Sequence, residues 1–444
     1  MSVVDLSLVI PCYNEEPILA QSLEELLAVL RGTRLTYELI FVDDASRDRS
    51  HELLQAFCRR YPDLPVQIIR HPVNLGRGRT VTDGWRAARG RIIGYLDIDL
   101  EVHARYLPAM VDAIDREGYD GAVAWRIYTV SWSLMGRAML SRGYHWLVRY
   151  GLGLPFRDTE QGYKFFTREA IMPVLSQVQD PGWFWDTELM AQAWLHGLRI
   201  CEIPCRFIRR TDKRSSLRVW RDTWRYLVAL GRFRRRWLRP SAQTSWLYRV
   251  PGVYQLAMAL LYRQGARGRH QAVAQRIPSG SSVLDVCSGD CALYTAWLRH
   301  DSVDYLGLDL NPCLLHAGAR RGARVRLMDV RQDDLPPADV VVMQASLYQF
   351  IPHQQAMLQK LLRAARRQVI LVEPVQNWAT NGTRWRRWLA RRWTNPGTGE
   401  VPYRLARLEL EQLLREHGAV EISELAGGRE LMGLFCVKDE RASR

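Results

Sequence analysis

Two series of short apolar runs, separated by amphipathic stretches, organise the chain. In the first half the runs are Leu6–Ile10, Leu39–Val42, Val66–Ile69, Ile92–Leu96 and Gly121–Ala124. Between them, Glu16–Leu30 and Arg49–Tyr61 repeat apolar residues at helical spacing. Such alternation predicts an α/β domain with a mainly parallel sheet. The pattern breaks between residues 240 and 280, at Pro240-Ser241 and Pro278-Ser279-Gly280. A second series follows at Ser282–Val286, Tyr305–Leu308, Val325–Met328, Val340–Met343 and Val369–Val372. Two α/β domains are therefore expected, over residues 1–240 and 247–440.

Composition narrows the class. A chain of 444 residues exceeds one ordinary core. With 47% hydrophobic and 25% charged residues it is not a disordered protein. No apolar run nears the roughly 18 residues of a membrane span. The opening MSVVDLSLVIPCYNEE has no basic leader, so no secretory signal is expected. Eight cysteines are too sparse for a disulfide scaffold and point to a reduced, cytoplasmic setting.

Charge changes this picture locally. The formal net charge is +15, and from Arg206 to Arg239 thirteen basic residues are opposed only by Asp212 and Asp222. A basic band implies an anionic partner: phospholipid, nucleic acid or a phosphorylated substrate. Within it, Leu217, Trp220, Trp224, Leu227, Val228 and Leu230 recur at helical spacing, extended by Phe233, Trp237 and Leu238. A helix with Trp on one side and Arg on the other suits a lipid headgroup boundary. The plainer alternative packs the Trp side on the domain and leaves Arg solvated. A second patch, Arg384–Trp393, has a similar alternation. No recognised nucleic-acid motif accompanies either, so nucleic acid is not an expected partner.

Candidate chemistry gathers at strand ends, where doubly wound sheets bind ligands. The first run ends in Pro11-Cys12-Tyr13-Asn14-Glu15-Glu16, the second in Asp43-Asp44-Ala45-Ser46, and the fourth in Asp97-Ile98-Asp99-Leu100-Glu101. Asn74-Leu75-Gly76-Arg77-Gly78-Arg79 lies between the last two. Hard oxygen ligands such as Asp97, Asp99 and Glu101 suit Mg²⁺ or Mn²⁺. Asp97 and Asp99 point the same way if their segment is extended. Asp43 and Asp44 would accept hydrogen bonds from a ribose or base, and Arg77 would neutralise a phosphate.

With VIPCYNEE, VDDASRDRS, NLGRGR, LDIDLE, Arg157–Phe166 and Trp183–Leu189, the first half resembles the family 2 glycosyltransferases of the GT-A fold. It looks like their polyprenyl- and dolichyl-phosphate glucosyl- and mannosyltransferase branch. The resemblance implies inverting transfer from a nucleotide sugar to a polyprenyl phosphate, on the inner face of the cytoplasmic membrane. By it, Pro11, Tyr13, Glu15, Asp43, Asp44 and Arg77 would hold the nucleotide. Asp97, Asp99 and Glu101 would hold the metal, and Arg126 and Arg137 would meet the acceptor phosphate. A hydroxyl acceptor would need a general base such as Asp186 or Asp158. A lipid phosphate is already anionic and needs positioning and charge neutralisation, from Arg126, Arg137 and Lys164. Asp158 and Asp186 would then orient arginines instead.

The second half carries Val283–Cys291 after its first strand, Asp309 after its second and Asp329 after its third. It resembles the class I S-adenosylmethionine-dependent methyltransferases, another Rossmann-like fold. That implies Asp285 and Gly289 beside the methionine portion of S-adenosylmethionine, Asp309 on the ribose and Asp329 on the adenine. Cys287 and Cys291 stand where the family often has glycine, and a Cβ there disfavours positive φ. Tyr348, His353 and Glu373 follow the fourth and fifth strands, where a methyl acceptor would sit. A domain that binds ligand without methyl transfer is the alternative.

Overall fold

The computed structural model describes residues 4–128, 152–208, 219–239, 244–249, 252, 255, 265–300, 302–376 and 404–437. Arg137, Leu217 and the patch 384–393 fall outside the described residues. Two compact units emerge, Met1–Arg235 and Arg236–Arg444.

The first unit is built on seven strands: β1 (Leu6–Cys12), β2 (Tyr37–Asp43), β3 (Val66–Arg70), β4 (Ile92–Leu96), β5 (Gly121–Tyr128), β6 (Tyr163–Thr167) and β7 (Ile200–Phe207). Their order is β3-β2-β1-β4-β6-β5-β7. β1 pairs in parallel with both β2 and β4. β6 is antiparallel to β4 and β5, and β5 is parallel to β7. The five expected runs all form strands. β6 and β7 are additions: YKFFT reads as a short mixed run, and the stretch from Ile200 to Phe207 is interrupted by Pro204. Pro204 is tolerated because β7 lies at the sheet edge. Helices Leu19–Arg31, Leu107–Asp115 and others cover the sheet, and Leu8, Ile10, Phe41, Ile92, Leu96 and Phe165 are fully buried.

The second unit has β8 (Ser282–Val286), β9 (Asp304–Asp309), β10 (Val325–Leu327), β11 (Ala338–Gln344), β12 (Ala365–Pro374), β13 (Glu421–Leu425) and β14 (Glu430–Cys436). They lie in the order β10-β9-β8-β11-β12-β14-β13. β14 is antiparallel to β12 and β13. The parallel runs were readable as apolar segments, whereas β13 and β14 were not anticipated.

Both sheets place a switch point beside the first strand of the unit. The chain winds outward over β1-β2-β3, then returns to β4 on the other side of β1; β8 stands likewise between β9 and β11. Helices leaving opposite faces at such a point open a crevice at the carboxyl ends of the strands. The fold thus locates both candidate sites before any side chain is considered.

Candidate active site

At the switch point of the first unit, Asp97 follows β4 and Asp44 follows β2, and two consecutive residues link them. The Gly76 amide donates to Asp44 Oδ2 at 2.9 Å, and the Leu75 amide to Asp44 Oδ1 at 2.8 Å. Arg77, the first residue of the helix Arg77–Ala87, donates from Nη2 to Asp97 Oδ2 at 2.9 Å. The nucleotide and metal segments expected from sequence therefore meet in one cleft. β1, whose end carries Pro11 and Tyr13, runs between them.

Neighbouring groups hold the first part of this cleft. Asp43 accepts the Ser46 amide at 3.0 Å, with His51 Nδ1 3.1 Å from its other oxygen. Asp44 also meets His71 Nδ1 at 2.7 Å. Asn14, at φ 55, donates its amide to Ser46 Oγ and accepts from the Arg47 amide through its side chain. The Glu15 amide donates to Ser50 Oγ at 2.7 Å. Asp43 and Asp44 are thus buried organisers of the β1 and β2 loops as well as strand-end carboxylates.

The Asp-x-Asp segment is not extended. Leu100 donates its amide to the Asp97 carbonyl at 3.2 Å and has φ 51, so residues 97–100 form a tight turn. The alternation argument for Asp97 and Asp99 sharing a face does not apply here. Asp99 Oδ1 accepts the Glu101 amide at 3.2 Å. Among the described residues no three His, Cys, Asp or Glu side chains are gathered as a ready-made metal cage, so Asp97, Asp99 and Glu101 do not by themselves form one. Burial pushes the Asp97 carboxyl up to about 6, against the pull of Arg77, with Asp99 and Asp186 adding repulsion.

Behind Asp97 lies a buried charge network. Arg77 Nη1 is 3.5 Å from Asp186 Oδ2. Asp186 Oδ1 accepts from Lys164 Nζ at 2.6 Å and from the Tyr95 hydroxyl. Lys164 Nζ also donates to Tyr95 Oη at 3.3 Å and to the Gln161 carbonyl. Desolvation lowers the Lys164 pKa, with Asp186 opposing it. Desolvation also works against the Arg77 charge, but Asp97 and Asp186 outweigh it and its pKa is raised.

This network bears on two of the expected roles. Lys164 is fully buried and uses its three N–H donors inside the protein, so it does not neutralise an acceptor phosphate. Asp186 is clamped by a cation and a phenol, an arrangement that matches the orienting alternative held open beside the general-base one. Asp158 is similarly engaged, receiving Arg126 Nε at 2.6 Å and Nη2 at 2.9 Å. Arg126 is correspondingly paired, with Glu160 3.9 Å away.

Gly162 is a position packed against the Arg77–Asp97 pair that strand-end reading missed. Its carbonyl accepts the Asp97 amide at 3.0 Å. A Cβ at Gly162 would collide with Arg77 Nη2 and with the Asp97 carboxyl. Only the tips of two side chains would have to move, so Gly162→Ala is expected to preserve the fold and displace the Arg77–Asp97 pair. A shift near 1 Å costs on the order of 100-fold in turnover. Unchanged kinetics with an unchanged melting temperature would refute this.

In the second unit, Asp285 is buried and accepts from the Tyr305 hydroxyl at 2.7 Å; burial pushes its carboxyl up to about 7. The Gly289 amide donates to Asp309 Oδ2 and the Asn311 amide to Oδ1, both at 2.8 Å. Asp329 is held by Arg331, whose Nε and Nη2 each lie 2.8 Å from a carboxylate oxygen, and the hydrogen bonds of Arg331 lower its pKa. Cys287 and Cys291 adopt φ 59 and 55, either side of Gly289 at φ 57. The loop therefore keeps a glycine-like trace despite two Cβ atoms. Cys291 is turned into the interior: a Cβ on Gly318 would come within 2.8 Å of its sulfur, and one on Gly307 within 2.9 Å. Glu373 is buried and accepts the amides of Ser346, Leu347 and Tyr348, which makes it a loop anchor; His353 is exposed. All eight cysteines are free, and Cys205 lies in the core.

Fold and site together define a GT-A glycosyltransferase unit followed by a class I methyltransferase-like unit. Residues 7–171 match the family model described as glycosyl transferase family 2, and residues 267–407 the one described as methionine biosynthesis protein MetW. Over 259 residues the chain is 30% identical to a dolichyl-phosphate beta-glucosyltransferase of Drosophila melanogaster, covering 52% of this chain and 77% of that protein. The chain belongs to the family 2 glycosyltransferases. It is also 30% identical over 218 residues to glycosyltransferase AglD of Haloferax volcanii, spanning 48% of this chain but only 35% of that relative's length. Among solved structures, glucosyl-3-phosphoglycerate synthase from Mycobacterium tuberculosis aligns with TM-score 0.39 and 18% identity, over 55% of this chain and 83% of that one.

Proposed function

We propose that the first unit transfers a hexose, with inversion, from a nucleotide sugar to a polyprenyl phosphate. The observation that carries this reading is the junction Asp44–Gly76-Arg77–Asp97, which brings the nucleotide and metal segments into one crevice. The likeness to a dolichyl-phosphate beta-glucosyltransferase supports the same donor and acceptor classes. Asp97 and Asp99, with Glu101 nearby in sequence, would hold Mg²⁺ or Mn²⁺. Their hard oxygens fit such a cation, which one or two carboxylates can hold together with substrate phosphates. When bound, the metal supplies Lewis acidity to the departing diphosphate.

The engaged state of Asp158 and Asp186 favours a phosphate acceptor, which needs no general base, over a sugar hydroxyl, which does. A donor screen with the full chain, Mn²⁺ and a short prenyl phosphate tests the proposal. Formation of nucleoside diphosphate together with a lipid-linked sugar supports it; transfer to saccharide hydroxyls alone overturns it.

The basic helix Val219–Trp237 is the surface through which the chain would meet the inner face of the cytoplasmic membrane. Its buried stripe is Tyr226, Leu230, Phe233 and Trp237; the last three belong to the expected apolar set, whereas Trp224 and Leu227 of that set are exposed and Tyr226 joins it. Tyr226 fixes the phase by donating its hydroxyl to Thr187 Oγ1 at 2.6 Å and packing against Phe184 at 5.0 Å. At about 100° per residue, Trp224 falls roughly opposite Tyr226. It is 68% exposed, among exposed Arg225, Arg232 and Arg235. An exposed indole among arginines suits an anionic headgroup layer. No helix of the described residues is long and apolar enough to cross a membrane. Co-flotation with phosphatidylglycerol vesicles, weakened by Trp224→Ala, is the expected result; no co-flotation at low salt would end this part of the reading.

The second unit would methylate a related glycan or lipid-linked product with S-adenosylmethionine. The left-handed turns through Cys287, Gly289 and Cys291 and the strand-end Asp309 fit that cofactor. Calorimetry with S-adenosylmethionine decides it, and no heat at millimolar ligand would leave a domain without methyl transfer.

A further inference from the structure

Among the aromatics of Trp183-Phe184-Trp185, two are inside and one is not. Phe184 and Trp185 are 3% and 1% exposed, whereas Trp183 is 43% exposed. The backbone that carries Trp183 is nevertheless fixed. The Gln179 and Asp180 amides donate to Glu188 Oε2 at 3.2 and 2.8 Å, and the Gly182 amide to Asp180 Oδ1 at 2.8 Å. The Arg79 amide donates to the Pro181 carbonyl at 3.1 Å. Gly76, at φ 94, packs so closely beneath that a Cβ would lie 2.6 Å from the Pro181 oxygen. Next in the chain, Trp185 anchors the segment through Nε1 to Thr82 Oγ1 at 2.9 Å. A rigid backbone presenting an indole to solvent is a platform rather than a floppy surface aromatic.

Its position says what the platform would hold. The Arg77 guanidinium carbon is 5.2 Å from the Trp183 ring centroid, and the same guanidinium donates to Asp97 at 2.9 Å. Trp183 is thus one side chain removed from the carboxylate that would serve the donor diphosphate. Across the sheet, the order β2-β1-β4-β6 runs from Asp44 through Asp97 toward Gly162. With the nucleoside at the β2 end and the diphosphate at Asp97, the group that continues the line is the transferred sugar. Pro181, two residues before Trp183, packs on Gly76, whose amide bonds Asp44, and Asp186, three residues after it, bonds Lys164 of β6, so the Trp183 ring, over Arg77, stands at the Asp97 end of this line. A pyranose has one face of C–H bonds that packs on an aromatic ring, while its hydroxyls remain at the edge in water.

We infer that Trp183 is the stacking platform for the donor hexose, a specificity-determining contact made to the sugar and not to the nucleoside diphosphate. The inference rests on the donor reading proposed above, and its test separates the two. Calorimetry of the full chain with Mn²⁺ would use UDP against UDP-glucose, and GDP against GDP-mannose. The wild type is expected to bind one nucleotide sugar more tightly than its parent diphosphate. Trp183→Ala is expected to weaken that nucleotide sugar about tenfold, the order of a lost aromatic contact. Binding of the parent diphosphate should stay within about twofold, and Trp183→Phe should keep most of the sugar preference. Equal weakening of sugar and diphosphate would reassign Trp183 to support of Arg77 and overturn the inference. Equal affinities of wild type and Trp183→Ala for the sugar would overturn it too. A wild type that binds neither diphosphate nor sugar donors fails at the donor reading itself.

Discussion

Joint replacement of Asp97 and Asp99 by alanine is expected to lower hexose transfer at least about a thousandfold while the fold survives. The change removes the two hard-oxygen side chains at the switch point, where a nucleotide diphosphate would leave. A thousandfold corresponds to about 4 kcal/mol of transition-state stabilisation, within the several kcal/mol that metal-assisted charge neutralisation supplies. The fold should tolerate it because both side chains are only partly buried and the turn is closed by the backbone bond from Leu100 to Asp97. Arg77 would keep Asp186 as a counter-charge at 3.5 Å, so no guanidinium is left without a partner. Initial rates at saturating donor, with Mn²⁺ binding followed separately, check the prediction. Turnover within tenfold of wild type would remove these carboxylates from the reaction.

The sequence made the central parallel strands and the strand-end motifs legible because a strand buried on both faces, such as β1, β2, β4 or β8, reads as an unbroken apolar run. VIPC, FVDD and YLDID could be placed at the same end of one sheet on that basis alone. β6 and β14 were not visible, because antiparallel strands inserted late in the order depend on long-range pairing that leaves no local period. The burial of Lys164 and its pairing with Asp186 were not legible for a related reason. A lysine in Tyr163-Lys164-Phe165 looks available until the register of β6 against β4 sets Lys164 opposite Tyr95. Sequence left Asp158 open between a general base and a partner for the arginines, and the bidentate pairing with Arg126 fits the second. In the basic helix the expected stripe kept Leu230, Phe233 and Trp237 but lost Trp224 and Leu227 to solvent, because the buried ring and bonded hydroxyl of Tyr226, which the apolar pattern left out, set the phase of the first turns. Gly162 carried a faint signal, a glycine one residue before an apolar run, whose meaning needed the neighbouring Asp97 to be read.

The buried pair Lys164–Asp186 should give the second large effect, and on stability as well as activity. Both side chains are essentially excluded from solvent and 2.6 Å apart. Breaking such a pair from one side typically costs about 3–5 kcal/mol, because the remaining charge stays buried without its counterpart. Lys164→Met would leave Asp186 with the Tyr95 hydroxyl and Arg77 alone. Arg77 would then be drawn toward Asp186 and away from Asp97, so transfer should fall along with stability. Asp186→Asn would strand Lys164, which would release its proton more readily because burial already lowers its pKa. That escape makes Asp186→Asn the milder change for folding, although Arg77 again loses a partner. The double variant should therefore cost less than the sum of the two singles, with a coupling of about 0.5–3 kcal/mol. Unfolding of the full chain, followed through the transition of the first unit, measures the stability term, and kcat against KM for the donor measures the effect on Arg77. Strictly additive single-variant losses would show that the two charges do not depend on each other, and the account of Asp186 as the group that orients Arg77 from behind would then fail.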